Sequence, residues 1–295
     1  MRLVRFQTNN IVKIGALKEN SIIDLRETRA RLYIEKGLKI EEASQKAKAE
    51  IPSDMIEFIE GGEETLSNAK ESIKSIDTEK VPGAIVHKLE NVKILAPIPD
   101  PPMILNMGNA YRPYPITGFT IKPITSLVGP EDPIIIPKEI TDFGPVFECE
   151  IAIVIGKKGR RIPENQAAYD YVYGYTVYND ITDYGKQIEG RFDSKIHDTF
   201  CPMGPCITTR DEIDNPHELA MKVWINGQLA CNSSTREMQQ RVPTFVSVPS
   251  RTLTLLPGTV ISTGTPAPGR LKPGDVVEME IEKIGKLRNP VTLEK

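Results

Sequence analysis

Between Phe147 and Asp180 the chain sets two carboxylates at the mouth of one apolar run and a third at the end of another. The first piece reads Phe147-Glu148-Cys149-Glu150 and passes into Ile151-Ala152-Ile153-Val154-Ile155. A short, β-branched run of this kind reads as a buried strand. Side chains alternate along a strand, so Glu148 and Glu150 face one way and Cys149 the other. Two carboxylates that close repel, which raises a pKa or calls for a counter-charge. A hard divalent cation satisfies both, and Mg²⁺ or Mn²⁺ prefers oxygen donors. The run from Tyr171 to Tyr178 also reads as a strand and delivers Asp180. Glu148, Glu150 and Asp180 would hold one ion and leave about three positions for water or substrate. Taken alone, Glu-x-Glu is more often a pair of exposed acids.

The company of this stretch changes that balance. After Glu148-Cys-Glu-Ile-Ala-Ile-Val-Ile-Gly156 come Gly174-Tyr-Thr-Val-Tyr-Asn-Asp180, Lys195-Ile-His-Asp-Thr-Phe200, Gly204-Pro205, Thr263-Gly-Thr-Pro266 and Leu271-Lys-Pro-Gly-Asp275. The series resembles the fumarylacetoacetate hydrolase (FAH) superfamily over roughly residues 100 to 292. That resemblance implies an α+β, β-rich FAH-like fold with a mixed β-sandwich or roll core. It also implies an enzyme of 2-oxo acids, and a homodimer. It does not choose the reaction, because the family holds hydrolases, isomerases, hydratases and decarboxylases.

Charge and cysteines exclude other classes. With 37 basic and 40 acidic side chains the net charge is −3, which gives no electrostatic case for nucleic acid or an anionic membrane. No apolar run approaches the ~20 residues that span a bilayer. Met1 to Phe6 soon gives way to Gln7-Thr8-Asn9-Asn10, so a signal-peptide core is not expected and the expected location is cytoplasmic. Cys149, Cys201, Cys206 and Cys231 form no Cys-x-x-Cys pair, which argues against zinc and against a disulfide framework. Cys149 reads as a small core residue.

Residues 1–90 read as an N-terminal accessory domain and 91–295 as the catalytic domain. Leu3-Val4, Ile11 to Leu17 and Ile22-Ile23, broken by Asn9-Asn10 and Glu19-Asn20, suit a β meander. Asp54, followed three residues later by Glu57, marks a helix start. Leu66, Ala69, Ile73 and Ile76 fall at helical spacing. Pro97, Pro99, Pro101 and Pro102 read as a stiff linker. Pro163 to Tyr171 reads as a helix with proline in its first turn. Asn226-Gly227 predicts a type I′ hairpin turn between Trp224 and Leu229.

The resemblance also locates candidate site residues. The family's mobile lid carries a water-activating His and Glu; here those positions hold Tyr114 and Thr117. Past Asp180 the family carries Arg and Gln; here Tyr184 and Gln187 stand there. An Arg would pair with a substrate carboxylate, and Tyr184 cannot. Arg270 is a possible replacement, with a surface role the commoner outcome. Lys195 matches the family's lysine, suited to stabilising an enolate oxygen or donating a proton. His197 is a candidate base, against the commoner structural histidine. Tyr114 completes the catalytic candidates. Gly264 allows close backbone approach to a ligand, and Thr265 offers a hydroxyl and an N–H. Lys122 could face the site, but a lone lysine before proline, here Pro123, is more often a surface residue.

The expectation is an Mg²⁺- or Mn²⁺-dependent enzyme, Ca²⁺ being able to substitute, that acts on a small 2-oxo or 1,3-dioxo acid through an enolate. Acylpyruvate-type C–C hydrolysis leads. A lyase or isomerase (dehydratase, hydratase, tautomerase or oxaloacetate-type decarboxylase) is the alternative that the missing dyad favours. A non-catalytic ligand-binding homologue is the reading from another class.

Overall fold

The computed structural model describes residues 1–75, 85–140 and 144–295. The fold is α+β and strand-rich. It begins with the meander β1 (Arg2–Thr8), β2 (Ile11–Lys18) and β3 (Ser21–Asp24), paired antiparallel in sequence. Asn9 and Asn10 adopt φ of 48° and 61°, which asparagine tolerates in a tight hairpin turn. Four helices follow: α1 (Leu25–Glu35), α2 (Ile40–Glu50), α3 (Met55–Glu60) and α4 (Gly62–Lys74). The Asp54 carboxylate accepts from the backbone N–H of Ile56 and Glu57, the cap its spacing predicts. Ile76 lies outside the described residues.

The meander does not stand apart from the rest. β1 pairs with the strand Cys201–Thr209, through Arg2↔Thr208 and Leu3↔Ile207, and with Lys93–Leu95. One large sheet results, twelve-stranded among the described residues. From β1 it runs through Cys201–Thr209, Val172–Asn179, Cys149–Ile155, Val260–Ser262 and Ile104–Asn106 to an edge at Thr120–Lys122. The proline stretch therefore links two strands of one sheet, and Ile98 within it is fully buried.

Alternation in the central strands explains the layers. Ile151, Ile153 and Ile155 point to one face, against Met221, Val223, Val277 and Met279 of a second, five-stranded sheet. Ala152 and Val154 point to the other face, where Met55, Phe58, Ile59 and Ala69 of the helices cover them. Each large apolar side chain so enclosed is worth roughly 1.5–3 kcal/mol. Glu148 and Glu150 share the parity of Ala152, and Asp180 that of Tyr178, so the acids leave the sheet on its helix-covered side.

Local expectations meet two outcomes. Asn226 and Gly227 take φ of 52° and 78°, as the hairpin requires. The helix predicted from Pro163 is instead a 3₁₀ turn, Gln166–Tyr171. Asn165 is extended and caps it through Ala167 N–H, and the Tyr171 ring lies where a side chain on Gly159 would stand. The chain is thus drawn into the next strand at Val172 before an α-helix can form.

Candidate metal centre

Glu148, Glu150 and Asp180 meet at the ends of two adjacent antiparallel strands, where Cys149 pairs with Asn179 and Glu150 with Tyr178. Asp180 N–H donates to Glu148 O at 3.0 Å, which holds the two strand ends together. One oxygen from each carboxylate lies within 4.8 Å of the others. Glu150 and Asp180 are buried, and Glu148 is mostly so.

Two lysines answer these charges. Lys195, from the short turn Phe192–Lys195, donates to Asp180 Oδ2 at 2.5 Å, Glu148 Oε2 at 3.1 Å and Thr182 Oγ1 at 2.8 Å. Lys122 corrects the surface reading. Its side chain is wholly enclosed, its Nζ lies 2.7 Å from Asp180 Oδ1, and it donates to the carbonyls of Ile181 and Phe200. Sequence reasoning also passed over Thr182. Its backbone bridges Val146, and its hydroxyl donates to Glu148 Oε1 at 3.2 Å.

The carboxylates divide. Burial, then the charges of Asp180 and Glu148, push Glu150 up to about 8, although Lys195 and Gly264 N–H oppose the shift. Burial likewise raises Glu148 against the pull of Lys195. Burial works on Asp180 too, but Lys122 and Lys195 overcome it and hold that carboxyl below its usual range. Lys195 is raised: its carboxylate partners, Asp180 first, outweigh its desolvation.

A divalent cation fits this donor set. Three convergent carboxylate oxygens suit a hard ion, and two lysines cannot neutralise three acids.

Gly264 has a different reason for being glycine than close approach to a ligand. At φ 116° a Cβ there would lie 2.9 to 3.1 Å from backbone atoms of residues 108–110, and its N–H donates to Glu150 Oε2 at 2.7 Å. It packs on protein backbone and fixes a carboxylate. Thr265 is half-buried, with its hydroxyl toward Ala267 O. Tyr184 and Gln187 are exposed on the short helix Tyr184–Ile188, capped by Asp183. No hydrogen bond or ion pair among the described residues joins either to the carboxylates. Tyr114 is 66% exposed. Its backbone carbonyl accepts from Gln240 Nε2, and Thr117 is exposed beside it.

His197 turns from Lys195 toward another group. Its Nε2 lies 3.1 Å from Lys186 Nζ and 3.8 Å from Asp183 Oδ2, and its ring tilts on Phe200. Burial, then Lys186, holds it below the usual histidine range. Arg270 is exposed, and its backbone pairs with Val146. All four cysteines are free, and burial raises Cys149 far above the range of a reactive thiol.

Residues 105–292 match the model of the family "Fumarylacetoacetate (FAA) hydrolase C-terminal". The chain belongs to the fumarylacetoacetate hydrolase family. Among relatives of that family, oxaloacetate tautomerase fahd2, mitochondrial, of Xenopus laevis is 37% identical over 82% of this chain and 79% of its own. Oxaloacetate tautomerase YisK of Bacillus subtilis is 34% identical over 82% and 87%. Among solved structures, maleylpyruvate hydrolase from Sphingobium sp. SYK-6, in complex with manganese (II) ion and pyruvate, superposes with a TM-score of 0.79 at 29% identity, both chains covered in full. The 2-hydroxyhepta-2,4-diene-1,7-dioate isomerase of Mycobacterium marinum gives 0.73 at 28%, covering 100% of this chain and 99% of its own. Like its named relatives in the FAH family, the chain is an enzyme, and its acidic cluster belongs to a divalent-metal-dependent family. No helix among the described residues is long and apolar enough to cross a membrane.

Proposed function

We propose that the chain is a tautomerase or isomerase of a small 2-oxo dicarboxylic acid, of which oxaloacetate is the first to test. One observation carries the reading. The acidic triad is built and flanked by two lysines, while the lid positions that would activate water hold exposed Tyr114 and Thr117. A phenol is a poorer general base at neutral pH than an imidazole. Moving a proton between carbon and oxygen needs no water nucleophile.

Glu148, Glu150 and Asp180 would hold Mg²⁺ or Mn²⁺, which when bound supplies Lewis-acid polarisation of a carbonyl oxygen. The remaining roles fall to side chains. Lys195, charged and aimed at the carboxylates, would donate a hydrogen bond to the oxygen on which enolate charge gathers, while the proton that leaves carbon passes to solvent water and returns from it. Gly264 N–H and Thr182 Oγ fix Glu150 and Glu148. Tyr184, Gln187 and Thr265, chain neighbours of the cluster, are the candidates for holding the distal end of the substrate. His197 serves Asp183 and Lys186 rather than the substrate. The same reading takes the molecule as a cytoplasmic homodimer in which residues 1–90 are accessory.

Acylpyruvate-type C–C hydrolysis remains as second reading, favoured by the resemblance to the maleylpyruvate hydrolase structure. One experiment separates them. The enol of oxaloacetate is followed by its ultraviolet absorbance with and without Mg²⁺ or Mn²⁺, and acylpyruvate cleavage is assayed in the same preparation. Metal-dependent tautomerisation, lost in Lys195→Met, is expected. Acylpyruvate turnover near the ~10 per second ordinary for enzymes, without tautomerase activity, would replace this reading by the hydrolase.

A further inference from the structure

Lys122 lies beneath the metal centre and takes no part in the proton transfer assigned above. Its side chain is fully enclosed, on an edge strand where its backbone pairs with Ile104. Three oxygens surround Nζ: Asp180 Oδ1 at 2.7 Å, Ile181 O at 3.3 Å and Phe200 O in a short hydrogen bond. An ammonium has three donors and no acceptor, so this cage fits the charged form. Lys195 differs. It comes from a short turn and keeps part of its side chain in solvent, so it can leave the carboxylates for a substrate. Lys122 cannot.

The consequence is a fixed positive charge on one oxygen of Asp180, while the other oxygen faces Lys195. A cation entering the triad meets that charge across the width of one carboxylate. Like charges that near, in a buried site, repel strongly. Three carboxylates and two lysines surround the ion; a divalent cation leaves the loaded site with one net positive charge, and removing Lys122 makes it neutral.

We propose that Lys122 is a positioning residue that weakens the hold on the divalent cation and keeps the loaded site electropositive for a doubly charged substrate. The proposal rests on the metal-dependent reading above. It inverts what a structural lysine would do. If Lys122 only braced Asp180, its removal would leave a buried carboxylate unsupported and cation binding would fall. If it opposes the cation, its removal makes binding tighter.

Mn²⁺ and Mg²⁺ are titrated calorimetrically into the metal-free full chain and into Lys122→Met, at one pH. At least about tenfold tighter Mn²⁺ binding by Lys122→Met is expected, from the lost repulsion. The KM for the oxaloacetate dianion should rise by about tenfold, with a smaller change for a monoanionic 2-oxo acid. Cation binding that is unchanged or weaker in Lys122→Met overturns the proposal. A native chain that binds no divalent ion removes the metal-dependent reading and this proposal with it. Thermal melting is read first. If Lys122→Met does not fold, Lys122→Gln, neutral but with an amide donor for the Phe200 carbonyl, carries the same prediction and the same refutation.

Discussion

Gly264→Ala tests whether the loop at Glu150 is held by backbone packing. At φ 116° an L side chain is strained whatever the space, at a cost of about 1–3 kcal/mol. The new methyl would also stand 2.9 Å from Asn109 N, 3.0 Å from Gly108 C and 3.1 Å from Ala110 N. These are backbone atoms and cannot swing aside. Residue 110 is itself pinned, its N–H donating to Thr263 O and its carbonyl accepting from Gln239 and Gln240 N–H. Overpacking of this kind adds about 1–3 kcal/mol. The sum, about 2–6 kcal/mol, corresponds to a fall in melting temperature of roughly 5–15 °C for a chain of this size. Any shift of residue 264 also lengthens its 2.7 Å hydrogen bond to Glu150, so Mn²⁺ binding should weaken in the same variant. Differential scanning calorimetry reads the first effect and isothermal titration the second. A variant that melts within a degree or two of the native chain and binds Mn²⁺ equally well would refute both the strain argument and the role given to Gly264.

Other predictions follow from single side chains. Glu148→Gln removes a charged oxygen ligand and should weaken Mg²⁺ binding by well over ~10-fold, read by calorimetry; an unchanged affinity rejects the triad. His217, whose Nε2 accepts from Val242 N–H and lies 3.5 Å from Tyr169 Oη, is pushed down to about 4, by burial and then by Arg241. The unfolded chain therefore takes up this proton first: the stabilisation is complete above the ordinary histidine pKa of ~6.5 and is lost as pH falls toward the folded value. Denaturant titrations should show about 2 kcal/mol more loss over that window in the native chain than in His217→Gln, after allowance for solvent screening; parallel pH curves would contradict it. His197→Asn should leave oxaloacetate tautomerisation within about threefold of native, since its ring serves Lys186 and Asp183; abolition with intact metal binding would make it the base.

What the sequence made legible was periodic or local. Alternation from Glu148 to Ile155 gave both the strand and the common face of the two glutamates, and Asp54 and Asn226-Gly227 announced their own cap and turn. Lys122 could be suspected of facing the site, but its burial was illegible, because its surroundings are carbonyls of Ile181 and Phe200, 59 and 78 residues away. Neither is marked by any residue type near Lys122. Thr182 escaped for a similar reason, since its bridge to Val146 forms only when the strands close. Gly264 was read as a place where backbone approaches a ligand, and a sequence cannot show that the backbone of residues 108–110 stands beside it instead. The three-residue offset of the Gln166 turn came from Asn165 outcompeting Pro163 as the start signal.

The join between the meander and the large sheet bears on how such a chain can be shortened. β1 meets Cys201–Thr209 through only two residue pairs, yet the helices that follow it cover Ala152, Val154, Tyr178 and Met203. Cutting the chain near residue 90 would sever little hydrogen bonding but would leave that apolar sheet face wet and the Cys201–Thr209 strand without its β1 partner, with only its first two residues still paired on that edge, to Leu127–Val128. Such a face and edge recruit other chains. A truncated protein would therefore fail by aggregation during expression, before its chemistry could be assayed. Any relative that does without the first ninety residues must shield the same sheet by other means.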